Sequence, residues 1–149
     1  MFDSHSAFQL IQKQIDLGPR LPGSDASFEL SDLIKNELKN TKWKVEYQDF
    51  QYKKTNLRNI VIRTPDEPLI YIIGTHYDTR KYSDKEITQE KRLEPVPGAN
   101  DGASGTALLI EMAKSLNPDH YPGLGFVFFD AEDQGQIDGP AILVMQTGQ

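Results

Sequence analysis

The chain has 149 residues, of which 38% are hydrophobic, and this favours one globular domain with a real core. Its formal net charge of -6, without a dense Lys/Arg cluster, argues against nucleic acid as a partner, and the lack of cysteine excludes disulfides and thiolate ligands. No apolar run approaches the ~18 residues of a membrane span, and the first residues do not resemble a signal peptide, so we expect a soluble chain without an export signal. Its compartment and oligomeric state stay open.

Helices are predicted from apolar residues at helical spacing. Phe8, Ile11 and Ile15 form such a stripe near the N terminus, and Ser24 is a favoured N-cap for a second stripe. A third, broader apolar face follows Gly105. The predicted helices cover residues 4–17, 24–40 and 105–116.

Strands are predicted where the apolar period changes to two residues or becomes a continuous run. The predicted strands cover residues 43–50, 57–63, 69–73 and 125–129. Two helices, a meander of strands and a final strand-helix-strand unit predict an α/β fold. We expect a mixed, mainly parallel sheet flanked by helices, with some antiparallel strands on one side.

Three apolar segments lead into imidazole or carboxylate groups, in residues 72–78, 97–105 and 126–133. Ligands of open α/β sheets collect beyond the carboxyl ends of the strands. A histidine and two carboxylates delivered to that edge could converge on one cation, and without cysteine any zinc must rest on nitrogen and oxygen ligands.

The first segment ends in His76 and Asp78. A histidine at a strand end is often structural. A carboxylate two residues further on is typical of the group that orients a metal-binding imidazole, so both interpretations stay open.

The second segment places Asp101 in a turn of small residues that opens a helix. Asp101 alone is explained as a helix N-cap. Three glycines, Gly98, Gly102 and Gly105, are more than a cap requires, and they allow the backbone to approach a ligand closely.

The third segment carries Asp130, Glu132 and Asp133 directly after an apolar strand. Adjacent carboxylates on a loop are usually solvated. At a sheet edge they repel one another unless a cation or a proton is shared, which fits one metal ligand and one general base.

Together, these segments resemble the zinc-dependent exopeptidases of the bacterial leucyl aminopeptidase type, peptidase family M28, which also contains the glutaminyl cyclases. The resemblance spans roughly residues 18–135. It rests on Gly18–Ser24, His76–Asp78, Gly98–Gly105 and Asp130–Asp133.

The resemblance implies a zinc exopeptidase fold and a role for each matching residue. His76, Asp101 and Asp133 would be metal ligands for one or two zinc ions, and Asp101 would bridge the two ions where both are present. Asp78 would support His76, and Glu132 would be the general base or acid. Most members have Glu at the position of Asp133, and an aspartate ligand still suits zinc.

The implied activity is hydrolysis of the first peptide bond at peptide or protein N termini, with Glu132 taking the proton of a zinc-activated water. The alternative is a glutaminyl-peptide cyclotransferase, which closes an N-terminal pyroglutamyl ring. A third interpretation is an inactive fragment, because the family takes further ligands from downstream positions and His5 and His120 are not at those positions. The chain is thus expected to represent the N-terminal part of one such domain, truncated, with an atypical tail at residues 137–149.

Overall fold

The computed structural model describes residues 1–133. The predicted atypical tail, 137–149, lies outside these residues. The described helices are α1 (Ser4–Asp16), α2 (Asp25–Leu38), the short α3 (Gln89–Arg92) and α4 (Ala103–Ser115), with a 3-10 turn at Pro118–His120. The described strands are β1 (Lys44–Tyr52), β2 (Thr55–Arg63), β3 (Tyr71–His76) and β4 (Leu124–Phe129).

The first two helices begin at side-chain caps. Asp3 accepts hydrogen bonds from the first-turn backbone of α1, and Ser24 accepts one from the backbone N–H of Ser27, which confirms the predicted cap of α2. The predicted stripe of α1 was wrong at Phe8, which is 69% exposed. Helix α1 instead buries Leu10 and Gln14, because this face packs against α4.

The four strands form one sheet in the order β1-β2-β4-β3. Strands β1 and β2 are an antiparallel hairpin, turned at Lys53 and Lys54, which both have positive φ. Strand β4 runs antiparallel to β2 and parallel to β3. The crossover from β3 to β4 contains α4, as a parallel connection requires. The structure therefore confirms the mixed α/β fold, with helices flanking the sheet and antiparallel strands on one side. Within residues 1–133 the sheet is not mainly parallel, because the β1-β2 hairpin and the β2-β4 pairing are antiparallel and only β3 and β4 run parallel.

The core lies between the sheet and the helices α2 and α4. Neighbouring strands β2 and β4 contribute Ile62 opposite Phe126 to a continuous apolar cluster. Trp43 packs its ring edge-on against Phe126, with 5.4 Å between the ring centroids, and its indole N–H donates to the carbonyl of Ala113 in α4. These contacts attach α4 firmly to the sheet.

Strand β3 differs from its prediction. It begins at Tyr71 and includes His76, whereas the sequence predicted residues 69–73. Its continuous apolar run is typical of a strand buried on both faces. In the structure, however, Tyr71 is 68% exposed and Ile72 is 45% exposed. Within residues 1–133, β3 pairs only with β4, so its outer side has no strand beside it.

The segment between β3 and α4, residues 80–94, is rich in charged residues of both signs, a composition typical of a solvated loop. The structure places the single turn α3 within it, capped by the side chain of Thr88 and without buried residues. None of the helices in residues 1–133 is long and apolar enough to cross a membrane.

Candidate metal centre

The parallel strands β3 and β4 bring two of the three predicted segments to one edge of the sheet. The backbone N–H of Tyr77 donates to the carbonyl of Phe129 at 3.0 Å, so the two chains leave the sheet side by side. The third segment arrives at the start of α4, where Gly102 is the N-cap with φ of 92°. This conformation favours glycine, and it aims the preceding turn at His76.

His76 and Asp101 are in direct contact. The imidazole Nε2 lies 2.9 Å from Oδ1 of Asp101. The other ring nitrogen, Nδ1, faces Asp78, at 3.2 Å from its carbonyl oxygen and 3.4 Å from its Oδ1. The contact with Asp78 raises the pKa of the His76 ring to about 9. The negative charges of Asp101 and Glu132 act in the same direction.

Asp78 is fully buried and connects His76 to the acidic loop. Its two carboxylate oxygens accept hydrogen bonds from the backbone N–H groups of Glu132 and Asp133, at 3.2 and 3.1 Å. One carboxylate thus orients the imidazole and fixes the loop that carries the other acidic groups. This is the arrangement expected of a residue that supports a metal ligand.

Four of the five predicted site residues act on or around the His76 ring, whereas the fifth, Asp133, lines a cavity with Asp101 but has its carboxylate paired with an arginine. His76 contacts Asp78 and Asp101, and the charge of Glu132 acts on the same ring. Asp133 instead forms an ion pair with Arg80 at 2.5 Å. Accordingly, residues 1–133 contain no group of three or more His, Asp or Glu side chains already arranged to hold a metal ion.

The residues present nevertheless fit part of a zinc site. A neutral imidazole nitrogen and a carboxylate oxygen are both zinc ligands. A Cβ on Gly102 would lie 2.9 Å from the carbonyl oxygen of Asp78 and 3.5 Å from Cε1 of His76, so glycine preserves the space beside the ring. His76 and Asp101 could therefore share one cation, and the carboxylate of Asp133 at this edge is the available third ligand.

Sequence reasoning gave no individual role to Arg20, which is fully buried beneath the Asp101 turn. Its guanidinium donates to the carbonyls of Pro97 at 2.6 Å and Gly98 at 2.8 Å. Burial lowers the pKa of Arg20 to about 10, and the charge of Asp78 opposes that shift. An arginine between two Gly/Pro turns was the available signal, but its partners lie more than 70 residues along the chain.

Asp130 belongs to the acidic loop of the third segment, but the sequence predicted no role for it. It is only 6% exposed, and its carboxylate accepts hydrogen bonds from the backbone N–H groups of Arg58 and Ala131 and from the hydroxyl of Ser27. Burial raises its pKa to about 7. Asp130 therefore joins β2, β4 and α2 beneath the site rather than facing His76.

A mixed α/β sheet that carries His and Asp side chains, both possible metal ligands, at the carboxyl ends of its parallel strands is typical of metallo-hydrolases. The family model of peptidase family M28 matches residues 59–144, more than half of the chain. This chain belongs to peptidase family M28, a family of metallo-exopeptidases, as the sequence motifs predicted.

Solved structures agree with this assignment. A Zn-dependent exopeptidase from Parabacteroides distasonis is 33% identical with a TM-score of 0.79 and covers 98% of this chain. A glutaminyl cyclase from Porphyromonas gingivalis is 31% identical with a TM-score of 0.81 over 91% of this chain. A leucine aminopeptidase precursor from Bacteroides thetaiotaomicron is 30% identical with a TM-score of 0.77 over 99%.

The chain spans about half the length of these proteins. It covers 51% of the exopeptidase, 50% of the cyclase and 52% of the aminopeptidase precursor. The similarity therefore concerns one half of a longer polypeptide in each case.

Proposed function

We propose that this chain supplies part of the catalytic centre of a zinc-dependent aminopeptidase acting on peptide or protein N termini. The observation that carries the proposal is the contact of His76 Nε2 with Asp101 Oδ1 at 2.9 Å, with Asp78 behind the ring. A metal-binding imidazole commonly has a carboxylate on its second nitrogen, and Asp78 lies at that place.

His76, Asp101 and Asp133 would be the zinc ligands supplied by this chain. We propose that the centre holds one or two zinc ions. When bound by these residues, zinc would supply Lewis-acid chemistry towards the substrate carbonyl and water. Asp78 keeps the His76 ring oriented with Nε2 towards Asp101. Asp78 also holds the loop of Glu132 close to the same ring through a 3.2 Å hydrogen bond.

Glu132 is the proposed general base. Its carboxylate would accept the proton of the attacking water and then deliver it to the leaving amine as the peptide C–N bond breaks. The backbone N–H of Glu132 donates a hydrogen bond to Asp78, so the carboxylate that orients His76 also holds the backbone of the proposed base. The products are a free N-terminal amino acid and a peptide shortened by one residue.

The second candidate is cyclisation of an N-terminal glutamine, and the structural similarity to the P. gingivalis glutaminyl cyclase favours it. In this reaction the α-amine of the substrate attacks its own γ-carbonyl carbon. A C–N bond forms, the amide C–N bond breaks, and Glu132 would transfer the amine proton to the departing ammonia. No water is consumed, so the two reactions give different products from one substrate.

The test uses zinc binding first and product analysis second. We expect the chain to bind zinc and to lose it on Asp101→Ala, measured by equilibrium dialysis. Glu132→Gln is expected to retain zinc, because its proposed role is proton transfer. Asp119→Asn, an exposed aspartate remote in sequence from the motifs, is the matched control and should bind as the parent chain does.

A glutamine-initiated peptide then separates the activities. Free glutamine indicates hydrolysis, whereas ammonia with a pyroglutamyl peptide indicates cyclisation. Zinc binding without either product supports the inactive-fragment interpretation for the 149-residue chain. Zinc binding that is equal in the parent and in Asp101→Ala would overturn the proposed centre.

A further inference from the structure

Arg80 follows the predicted site residues of β3 and binds the acidic loop. Its Nε and Nη2 donate to Asp133 Oδ1 at 2.8 and 2.5 Å. Its third guanidinium nitrogen, Nη1, donates to Asp84 Oδ1 at 2.8 Å. Arg80 therefore joins a predicted metal ligand to the rim segment, residues 80–96.

Both hydrogen bonds from Arg80 reach the same oxygen of Asp133. Among residues 1–133, no group donates a hydrogen bond to the other oxygen, Oδ2. The Asp133 side chain is 9% exposed, and it lines a cavity of about 450 Å³ together with Asp101. Oδ2 is thus the Asp133 oxygen without a hydrogen-bond donor among these residues, and it is the one left for a ligand.

Arg80 is itself held at two further places, one on its side chain and one on its backbone. Asp84 occupies Nη1, and the backbone carbonyl of Arg80 accepts a hydrogen bond from Val96 at the far end of the rim segment, at 2.9 Å. A planar guanidinium fixed in this way sets the orientation of the carboxylate it binds. A lysine would provide a charge without the fork that reaches both carboxylates.

We infer that Arg80 is a positioning residue that makes Asp133 a one-oxygen metal ligand and thereby favours zinc over calcium. The inference rests on the proposed function, since it concerns the same cation. Zinc in proteins takes four ligands in a tetrahedral arrangement, whereas calcium takes six to eight oxygens and often binds both oxygens of a carboxylate. With Oδ1 occupied by Arg80, two-oxygen binding by Asp133 is blocked.

The test compares the parent chain with Arg80→Gln, Arg80→Lys and Asp84→Asn, all as the 149-residue chain. Zinc affinity is measured by competition with a chromophoric chelator, in the absence and presence of excess calcium. Loading with Co²⁺ provides a second readout, because four-coordinate cobalt absorbs visible light more strongly than cobalt with more ligands. Circular dichroism establishes that each variant is folded.

Arg80→Gln is expected to weaken zinc binding roughly tenfold to a hundredfold, the usual effect of removing a residue that supports a ligand. It should also increase competition by calcium and reduce the visible absorption of bound cobalt. Arg80→Lys should give an intermediate result. Asp84→Asn removes one contact that fixes the guanidinium but keeps both hydrogen bonds to Asp133, so it should weaken zinc binding and change the cobalt spectrum less than Arg80→Gln does.

Two results would overturn the inference while leaving the proposed function intact. In the first, the parent chain binds zinc, and Arg80→Gln matches it in affinity, calcium competition and spectrum. In the second, Asp84→Asn reproduces all the effects of Arg80→Gln, which would assign them to the rim segment rather than to Asp133. A parent chain that binds neither zinc nor cobalt overturns the proposed function and this inference together.

Discussion

Asp130 is a buried carboxylate whose pKa is strongly raised. It is surrounded by hydrogen-bond donors, yet burial outweighs them and raises its pKa from 3.8 to about 7. At a pH between the two pKa values, this carboxyl group keeps its proton in the folded chain but has lost it in the unfolded chain. Its contribution to stability is therefore largest below about pH 4 and decreases as the pH rises towards 7.

Asp130→Asn is expected to abolish this part of the pH dependence, since the amide does not titrate. The parent chain should lose stability between pH 4 and pH 6.5, and the full shift of the Asp130 pKa corresponds to about 4 kcal/mol. Urea unfolding of the metal-free chain across this range measures the slope. The window excludes most of the effect of His76, whose raised pKa of about 9 acts above pH 6.5.

Asp16→Asn is the control, because Asp16 is exposed at the end of α1. It should keep the slope of the parent chain. An unchanged slope in Asp130→Asn would show that Asp130 ionises in the folded chain as it does in the unfolded one.

At the scale of elements, the contact of α4 with β3 decides how closely the Asp101 turn approaches His76. Gly105 lies in the first turns of α4, directly over Thr75. A Cβ at position 105 would lie 2.3 Å from Thr75 Oγ1 and 3.3 Å from its Cβ. Glycine is required here by close packing and not by an unusual φ.

Gly105→Ala is expected to destabilise the chain by roughly 1 to 3 kcal/mol through overpacking. Helix propensity alone predicts the opposite sign, a gain of about 1 kcal/mol for alanine over glycine. Adding Thr75→Ala removes the hydroxyl and methyl groups and should restore most of the loss. Thermal or urea unfolding of the single and double variants measures the coupling, and a stable single variant would contradict the packing argument.

At the scale of the whole molecule, the two outer strands of the described sheet are unlike each other. Strand β1 carries charged residues such as Lys44, Glu46 and Asp49, which discourage edge-to-edge pairing. Strand β3 exposes Tyr71 and Ile72, and within residues 1–133 no strand pairs with its outer side. An exposed apolar edge of this kind promotes self-association.

Ile72→Lys is expected to reduce concentration-dependent light scattering of the chain, because it places a charge on this edge. Leu108→Lys is the matched control. Leu108 is 46% exposed, similar to Ile72 at 45%, but it lies on α4. Equal improvement in both variants would assign the effect to net charge instead of to the β3 edge.

Local patterns predicted the elements well because they depend on neighbouring residues. The three long helices, the Ser24 cap and the four strands in chain order follow from spacing, capping chemistry and turns, and the structure confirms them. Phe8 was misjudged because periodicity identifies an apolar stripe without showing which side meets a partner. The exposure of β3 was missed for the same reason, since burial of a strand depends on what lies beside it.

By itself, the sequence determined the family, the mixed α/β fold and the three segments that carry imidazole and carboxylate groups, because these are properties of short motifs in a fixed order. Only the tertiary structure decided how the side chains pair. It joined His76 to Asp101, directed Asp133 to Arg80 and placed Arg20 beneath the turn. Such contacts join residues 25 to 77 positions apart. The pairing of β3 with β4 and the packing of α4 on the sheet, not local sequence, bring such distant residues within hydrogen-bonding distance.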